Sequence, residues 1–169
     1  MLDRFDRWLV RCNRAAVIAL LAAMACMVFA NVVLRYVSGN SILWVEEASR
    51  YVMIWLTFVG CGLVLRYGGH IGVDTLQDRL PRHAAVVRAL IWALLLGFFA
   101  TMVWLGIVYS TRTWIQTTPV MQIPVGAVYL AMPIGFGLMI VHLALMARPY
   151  IARKEFMHGA EFDADAVKM

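Results

Sequence analysis

The chain has 169 residues, of which 63% are hydrophobic, with a mean hydropathy of +0.76 and a formal net charge of +5. Soluble domains carry about 45–50% apolar residues, so the composition excludes a soluble globular domain and points to the bilayer. The positive charge does not mark a nucleic-acid binder, because the cations sit in short segments beside apolar runs, where they serve topology and lipid head groups.

Residues 2–13 predict a short interfacial helix: Leu2, Phe5, Trp8 and Leu9 recur at helical spacing opposite Asp3, Arg4, Asp6, Arg7 and Arg11. The chain is then expected to turn into a first span at about 15–36, whose apolar run is interrupted by Asn31 alone. The basic start and Val28-Phe29-Ala30 loosely fit a cleavable signal peptide. The run is long for one, however, and Val32-Val33-Leu34 continue it, so an uncleaved helix is expected. Residues Ala22, Cys26 and Ala30 form a small-residue stripe that would admit another helix, and Gly60, Gly62 and Gly97 suggest similar close contacts. The alternative is the ordinary abundance of alanine and glycine in membrane helices. Cys12, Cys26 and Cys61 imply neither a disulfide framework nor a zinc site and read as small apolar fillers.

A polar turn, Ser38-Gly39-Asn40-Ser41, leads into a second span at about 44–66. Its apolar run, Tyr51–Leu65, has 15 residues. That length covers roughly 22 Å of a hydrocarbon core about 30 Å thick, so the helix must draw length from the charged segment Trp44-Val45-Glu46-Glu47-Ala48-Ser49-Arg50. Glu46 and Arg50 are four apart and Glu47 and Arg50 three apart, on one helical face, and the short turn brings Arg35 within reach of the two glutamates. An interfacial ion cluster that fixes the hairpin and its depth is the leading expectation; contact with a partner and ion coupling are the alternatives.

After span two, Arg66-Tyr67-Gly68-Gly69-His70 breaks the helix, and Ile71, Val73, Leu76 and Leu80 alternate with Asp74, Gln77, Asp78 and Arg79 in a second surface helix ended by Pro81. Span three is expected at about 86–109. The link Ser110–Ile123 carries Trp114 and Met121 and is apolar enough to rest on membrane or partner. Pro124 suits the first turn of span four, about 125–147, and Pro133, followed by Gly135 and Gly137, should kink it. Residues 1–154 thus form one four-helix membrane domain, all-α, and 155–169 a polar tail expected to be mobile. Twelve of the fifteen cations flank the termini or the link between spans two and three, which assigns both termini to the cytoplasm.

Span four holds one titratable group, His142. A bis-histidine haem site needs a second histidine at matching depth, and His70, His83 and His158 lie outside the spans, so an interhelical or interfacial hydrogen bond is the expected role. Nucleotide loops, Ser/His/Asp sets, metalloprotease motifs and paired intramembrane aspartates do not occur in the sequence. Four spans without a polar midplane make a poor self-sufficient transporter. The residues point to an accessory subunit without catalytic, cofactor or metal sites.

The stretch Asn31-Val32-Val33-Leu34-Arg35-Tyr36, followed by Trp44-Val45-Glu46-Glu47-Ala48-Ser49-Arg50-Tyr51, resembles the small permease (DctQ-type) subunit of tripartite ATP-independent periplasmic transporters. Trp55, Phe58, Gly60, Arg66, Gly69-His70-Ile71-Gly72-Val73-Asp74, Leu80-Pro81, Ile123-Pro124, Tyr129 and Pro133-Ile134-Gly135 extend the likeness over roughly residues 14–150. The resemblance implies a bacterial inner-membrane transporter in which a periplasmic binding protein delivers an organic anion to a large multi-span permease driven by sodium. The small subunit supports that large permease among the membrane lipids, and coupling and substrate residues belong to the large partner. Arg35, Trp44, Glu46, Glu47, Arg50, Arg66, His70, Asp74 and Pro133 are accordingly candidates for structural or partner roles. The competing expectations are a membrane anchor of a respiratory oxidoreductase and a free-standing small exporter.

Overall fold

The structure, a computed structural model, describes residues 2–67 and 84–153. The expected surface helix after His70, together with His70, Asp74 and the tail from 155, lies outside the described residues. Five helices account for almost all of the remainder: α1 Leu2–Ser38, α2 Leu43–Arg66, α3 Ala84–Arg112, α4 Val125–Tyr129 and α5 Ala131–Arg153. Four stretches are long and apolar enough to cross a membrane, with α4 and α5 together making the fourth.

Helix α1 differs from the expected turn between an interfacial helix and span one, because it runs unbroken through all 37 residues. No glycine or proline occurs between Leu2 and Ser38 to interrupt it. At 1.5 Å per residue it reaches roughly 55 Å, well beyond a hydrocarbon core of about 30 Å. Gly39 ends it in the left-handed region, φ 70°, and donates its N–H to the Arg35 carbonyl at 3.1 Å. Helix α2 absorbs the whole charged segment into its first turns, as its short apolar run requires.

The fourth span breaks at Leu130, between α4 and α5. Pro133 lacks an N–H, and its ring crowds the carbonyl four residues back, that of Tyr129, where α4 stops. Helix α1 packs on α2, α2 on α5, and α5 on α3. Helix α5 is therefore the central element, and its companions differ in how closely they approach. A Cβ on Gly135 would stand 2.6 Å from Phe58 Cβ and 2.7 Å from the Phe58 carbonyl oxygen, so glycine sets the α2–α5 contact. Gly62 gives way to the His142 ring in the same manner. Gly97 faces open space and Gly60 meets Val17 at ordinary distance, so neither marks a tight crossing.

The apolar core lies where α2, α3 and α5 meet: Leu65, Phe99, Met139 and Leu143, flanked by Cys61, Trp92 and Phe136. Phe136 packs edge-on against Phe58 at 5.9 Å and Phe98 at 6.0 Å. Trp92 donates its indole N–H to the Leu143 carbonyl at 3.0 Å. Ala22, Cys26 and Ala30 are exposed on α1, as are Ile18, Leu21 and Phe29.

Candidate functional site

Polar groups inside this bundle gather at its two ends. At the end holding the α1–α2 turn, Asn31 and Glu47 are the buried polar groups on the two spans, 4% and 3% exposed. Asn31 Oδ1 accepts the Ile42 N–H at 2.7 Å, tying the start of α2 to the body of α1. One face of α2 turns Glu46 outward, where its carboxylate accepts from Arg35 at 2.9 Å with both side chains about half exposed. Arg50 Nε donates to the Glu46 carbonyl at 3.4 Å rather than to a carboxylate.

Glu47 points the other way. Its Oε2 accepts the N–H groups of Val120 and Met121, both at 2.9 Å, and its Oε1 accepts the Tyr51 hydroxyl at 2.5 Å. The segment it holds is a compact hairpin. The Thr118 N–H donates to the Ile123 carbonyl at 2.9 Å, the Ile123 N–H donates to Thr118 Oγ1 at 3.2 Å, and Gln122 takes a positive φ of 55° at the tip. Below the tip, Val125 N–H donates to the Gln116 carbonyl at 2.8 Å, and Ser110 Oγ donates to the Gly126 carbonyl at 2.6 Å. A carboxylate taking two backbone donors is a strong, charge-assisted anchor. It leaves Trp114 and Ile115 exposed at the base of the hairpin, Ile115 at 91%.

At the opposite end, α1, α2 and α5 converge on His142, which is fully buried. Arg66 Nε donates to His142 Nδ1 at 2.8 Å, and the Arg66 guanidinium grips both carboxylate oxygens of Asp6, one at 2.8 Å. With Nδ1 accepting, the ring carries its proton on Nε2, 3.1 Å from the Asn13 amide. The Asn13 amide turned with Oδ1 toward Nε2 accepts that proton and gives Oδ1 the partner it otherwise lacks. The arrangement pairs the buried guanidinium in two-pronged geometry and uses both ring nitrogens, which is how a membrane protein makes buried polar groups tolerable. Beside it, Arg14 donates to the Tyr67 hydroxyl at 3.1 Å.

The structure thus separates the sequence candidates. Arg35, Glu46 and Arg50 share one rim. Glu47 leaves them for the 118–123 hairpin, although its spacing from Arg50 had suggested a shared face. Arg66 joins His142 at the far end, Trp44 is half-exposed in the first turn of α2, and Pro133 sits at the break in span four, against Gly106. Asp6, Asn13, Tyr51 and Thr118 complete the networks without having been singled out for them. The one available signal was His142 itself, a buried imidazole that demands partners on neighbouring helices. Among the described residues no group of histidine, cysteine, aspartate and glutamate is placed to hold a metal.

This is the build of an accessory membrane subunit: four spans, an apolar middle and polar fasteners at both ends. Comparison with known sequences gives the family. Residues 24–149 match the DctQ component of the tripartite ATP-independent periplasmic transporters, and the chain belongs to that family. It is a small permease subunit of a TRAP transporter, a multi-pass protein of the inner membrane. A putative TRAP transporter small permease protein of Haemophilus influenzae is 32% identical over 121 residues, 68% of this chain and 71% of the relative. The C4-dicarboxylate TRAP transporter small permease protein DctQ of Vibrio cholerae is 27% identical over 178 residues, covering 88% of this chain and 76% of its own. The isethionate TRAP transporter permease protein DctMQ of Oleidesulfovibrio alaskensis is 33% identical over 103 residues, 59% of this chain but 16% of that much longer protein.

Proposed function

We propose that this chain is the non-catalytic small subunit of a sodium-coupled TRAP transporter that imports an organic acid delivered by a periplasmic binding protein, and that it stabilises and orients the large permease subunit. The observation that carries this reading is the fate of the polar groups. Asn31, Glu47, Arg66 and His142 are all engaged in fasteners between elements of the chain itself, at the ends of the spans. A substrate path needs polar groups turned toward a cavity near mid-membrane, and these are committed elsewhere. The matched region makes up 16% of the isethionate DctMQ protein, a size relation that suits a small subunit joined to a far larger permease.

Substrate choice then rests with the large subunit and the binding protein. Relatives are named for isethionate, ectoine and C4-dicarboxylates, each of which carries an acidic group. Purification in mild detergent is expected to recover a large polytopic partner with this chain, and proteoliposomes are expected to need both, plus sodium, for uptake. Repeated recovery of the chain alone, or transport by it alone, would overturn the assignment. A haem absorption spectrum in the purified chain would favour a respiratory anchor instead.

A further inference from the structure

Between α1 and α2, at the end that carries their turn, lies a groove of about 450 Å³. Its apolar wall is made by Val28, Val32 and Val45, and its polar rim by Arg35, Glu46 and Arg50. The Glu46 carboxylate is engaged by Arg35 at 2.9 Å, while among the described residues Arg50 reaches the Glu46 carbonyl, through Nε at 3.4 Å, and no carboxylate. One anion therefore faces two cations, and the rim keeps an uncompensated positive charge. Asn31 also lines the groove and is 4% exposed. Its Oδ1 is taken by the Ile42 N–H, and among the described residues its Nδ2 has no acceptor. An amide donor that faces the groove beside two guanidinium groups calls for an acceptor-rich anion; three valines below them call for alkyl chain.

The position selects the source of that ligand. Asn31 lies seven residues before the end of α1, roughly 10 Å along the helix; with the α1–α2 turn at the membrane surface, that is the depth where head group meets hydrocarbon in a bilayer about 40–45 Å thick overall. We infer that this groove holds an anionic phospholipid, its phosphodiester between Arg35, Arg50 and the Asn31 amide, and one acyl chain along Val28, Val32 and Val45. The lipid neutralises the surplus charge, accepts from the Asn31 amide that faces the groove and fills the space between two helices that the chain itself leaves open. Such a site lets the α1–α2 hairpin sense the lipid composition of the leaflet that contains it.

The test uses the full-length small subunit purified alone in mild detergent, so that its outcome is independent of transport and of the large partner. Native mass spectrometry after equilibration with phosphatidylglycerol or phosphatidylcholine is expected to show one retained phosphatidylglycerol and far less phosphatidylcholine. The Arg35→Gln/Arg50→Gln pair is expected to cut retention by about tenfold or more, the loss of charge-assisted bonds to one phosphate. Val32→Phe keeps every rim charge but fills the groove, and is expected to lose the lipid as well. Glu46→Gln releases Arg35 from its internal partner and is expected to raise retention, an effect that a purely structural ion pair does not produce. Equal retention by wild type and the arginine pair, with both folded by circular dichroism, would sink the proposal. So would displacement by soluble glycerol phosphate, which points to a free phosphate, or a lipid-free groove whose Val32→Cys variant crosslinks to the large subunit in the assembled complex.

Discussion

Glu47 shows how one carboxylate decides the shape of a distant loop. Both N–H groups at 120 and 121 converge on a single oxygen, and the Tyr51 hydroxyl fixes the other. Glu47→Gln can keep the geometry, with the amide oxygen on the two N–H groups and the amide nitrogen toward Tyr51 oxygen, but it loses the charge. Glu47→Ala strands two backbone donors. Hydrogen exchange at Val120 and Met121 should therefore rise modestly in the glutamine variant and by about tenfold or more in the alanine variant. Equal exchange in all three proteins would show that the hairpin holds itself. This role was hidden in the sequence because the partners are main-chain amides more than seventy residues away, which carry no residue-type signature. The Arg35–Glu46 pair was legible because a four-residue turn forces the two ends together, leaving little else for Arg35 to reach.

Elements are fastened by groups whose removal has unequal consequences. Asp6 is partly exposed, whereas the Arg66 side chain is almost wholly buried, so deleting Asp6 takes a two-pronged carboxylate from a buried cation while deleting Arg66 leaves a carboxylate that water can reach. Asp6→Ala should lower stability by about 1.5–3 kcal/mol, the loss of charge-assisted bonds to one guanidinium, and Asp6→Leu with Arg66→Met should recover part of that loss. Thermal unfolding of the single and double variants checks the order. The same contrast holds for glycines. Gly135→Val drives a side chain into the Phe58 backbone and should disrupt the α2–α5 contact, while Gly97→Ala, facing open space, should be neutral or stabilise by about 0.5–1 kcal/mol. Apolar runs in the sequence pointed to four spans, and the structure has four long apolar helical stretches, yet the runs could not rank these glycines, since closeness of approach depends on which helices become neighbours. Nor could it foresee the long α1: amphipathic spacing in residues 2–13 suggested a separate interfacial segment, but a stretch without glycine or proline has no reason to turn.

At the scale of the whole molecule, the two polar ends are chemically different, and the difference should orient the protein. One end carries Arg4, Arg7, Arg11, Arg14, Arg66 and Arg88; the other carries Arg35, Arg50 and Arg112. Twelve positive residues against three is a strong bias for cytoplasmic termini. Asn40, exposed in the α1–α2 turn next to Gly39, is a suitable reporter in a Cys12→Ala background. A cysteine introduced at Asn40 should react with a membrane-impermeant maleimide in intact spheroplasts, while a C-terminal tag should become accessible to protease only after the membrane is opened. The opposite pattern would place the Glu47 hairpin and the lipid groove on the cytoplasmic leaflet, out of reach of any periplasmic binding protein. The experiment thus tests the positive-inside reading and, with it, whether the 118–123 hairpin that Glu47 holds can face the compartment from which substrate is delivered.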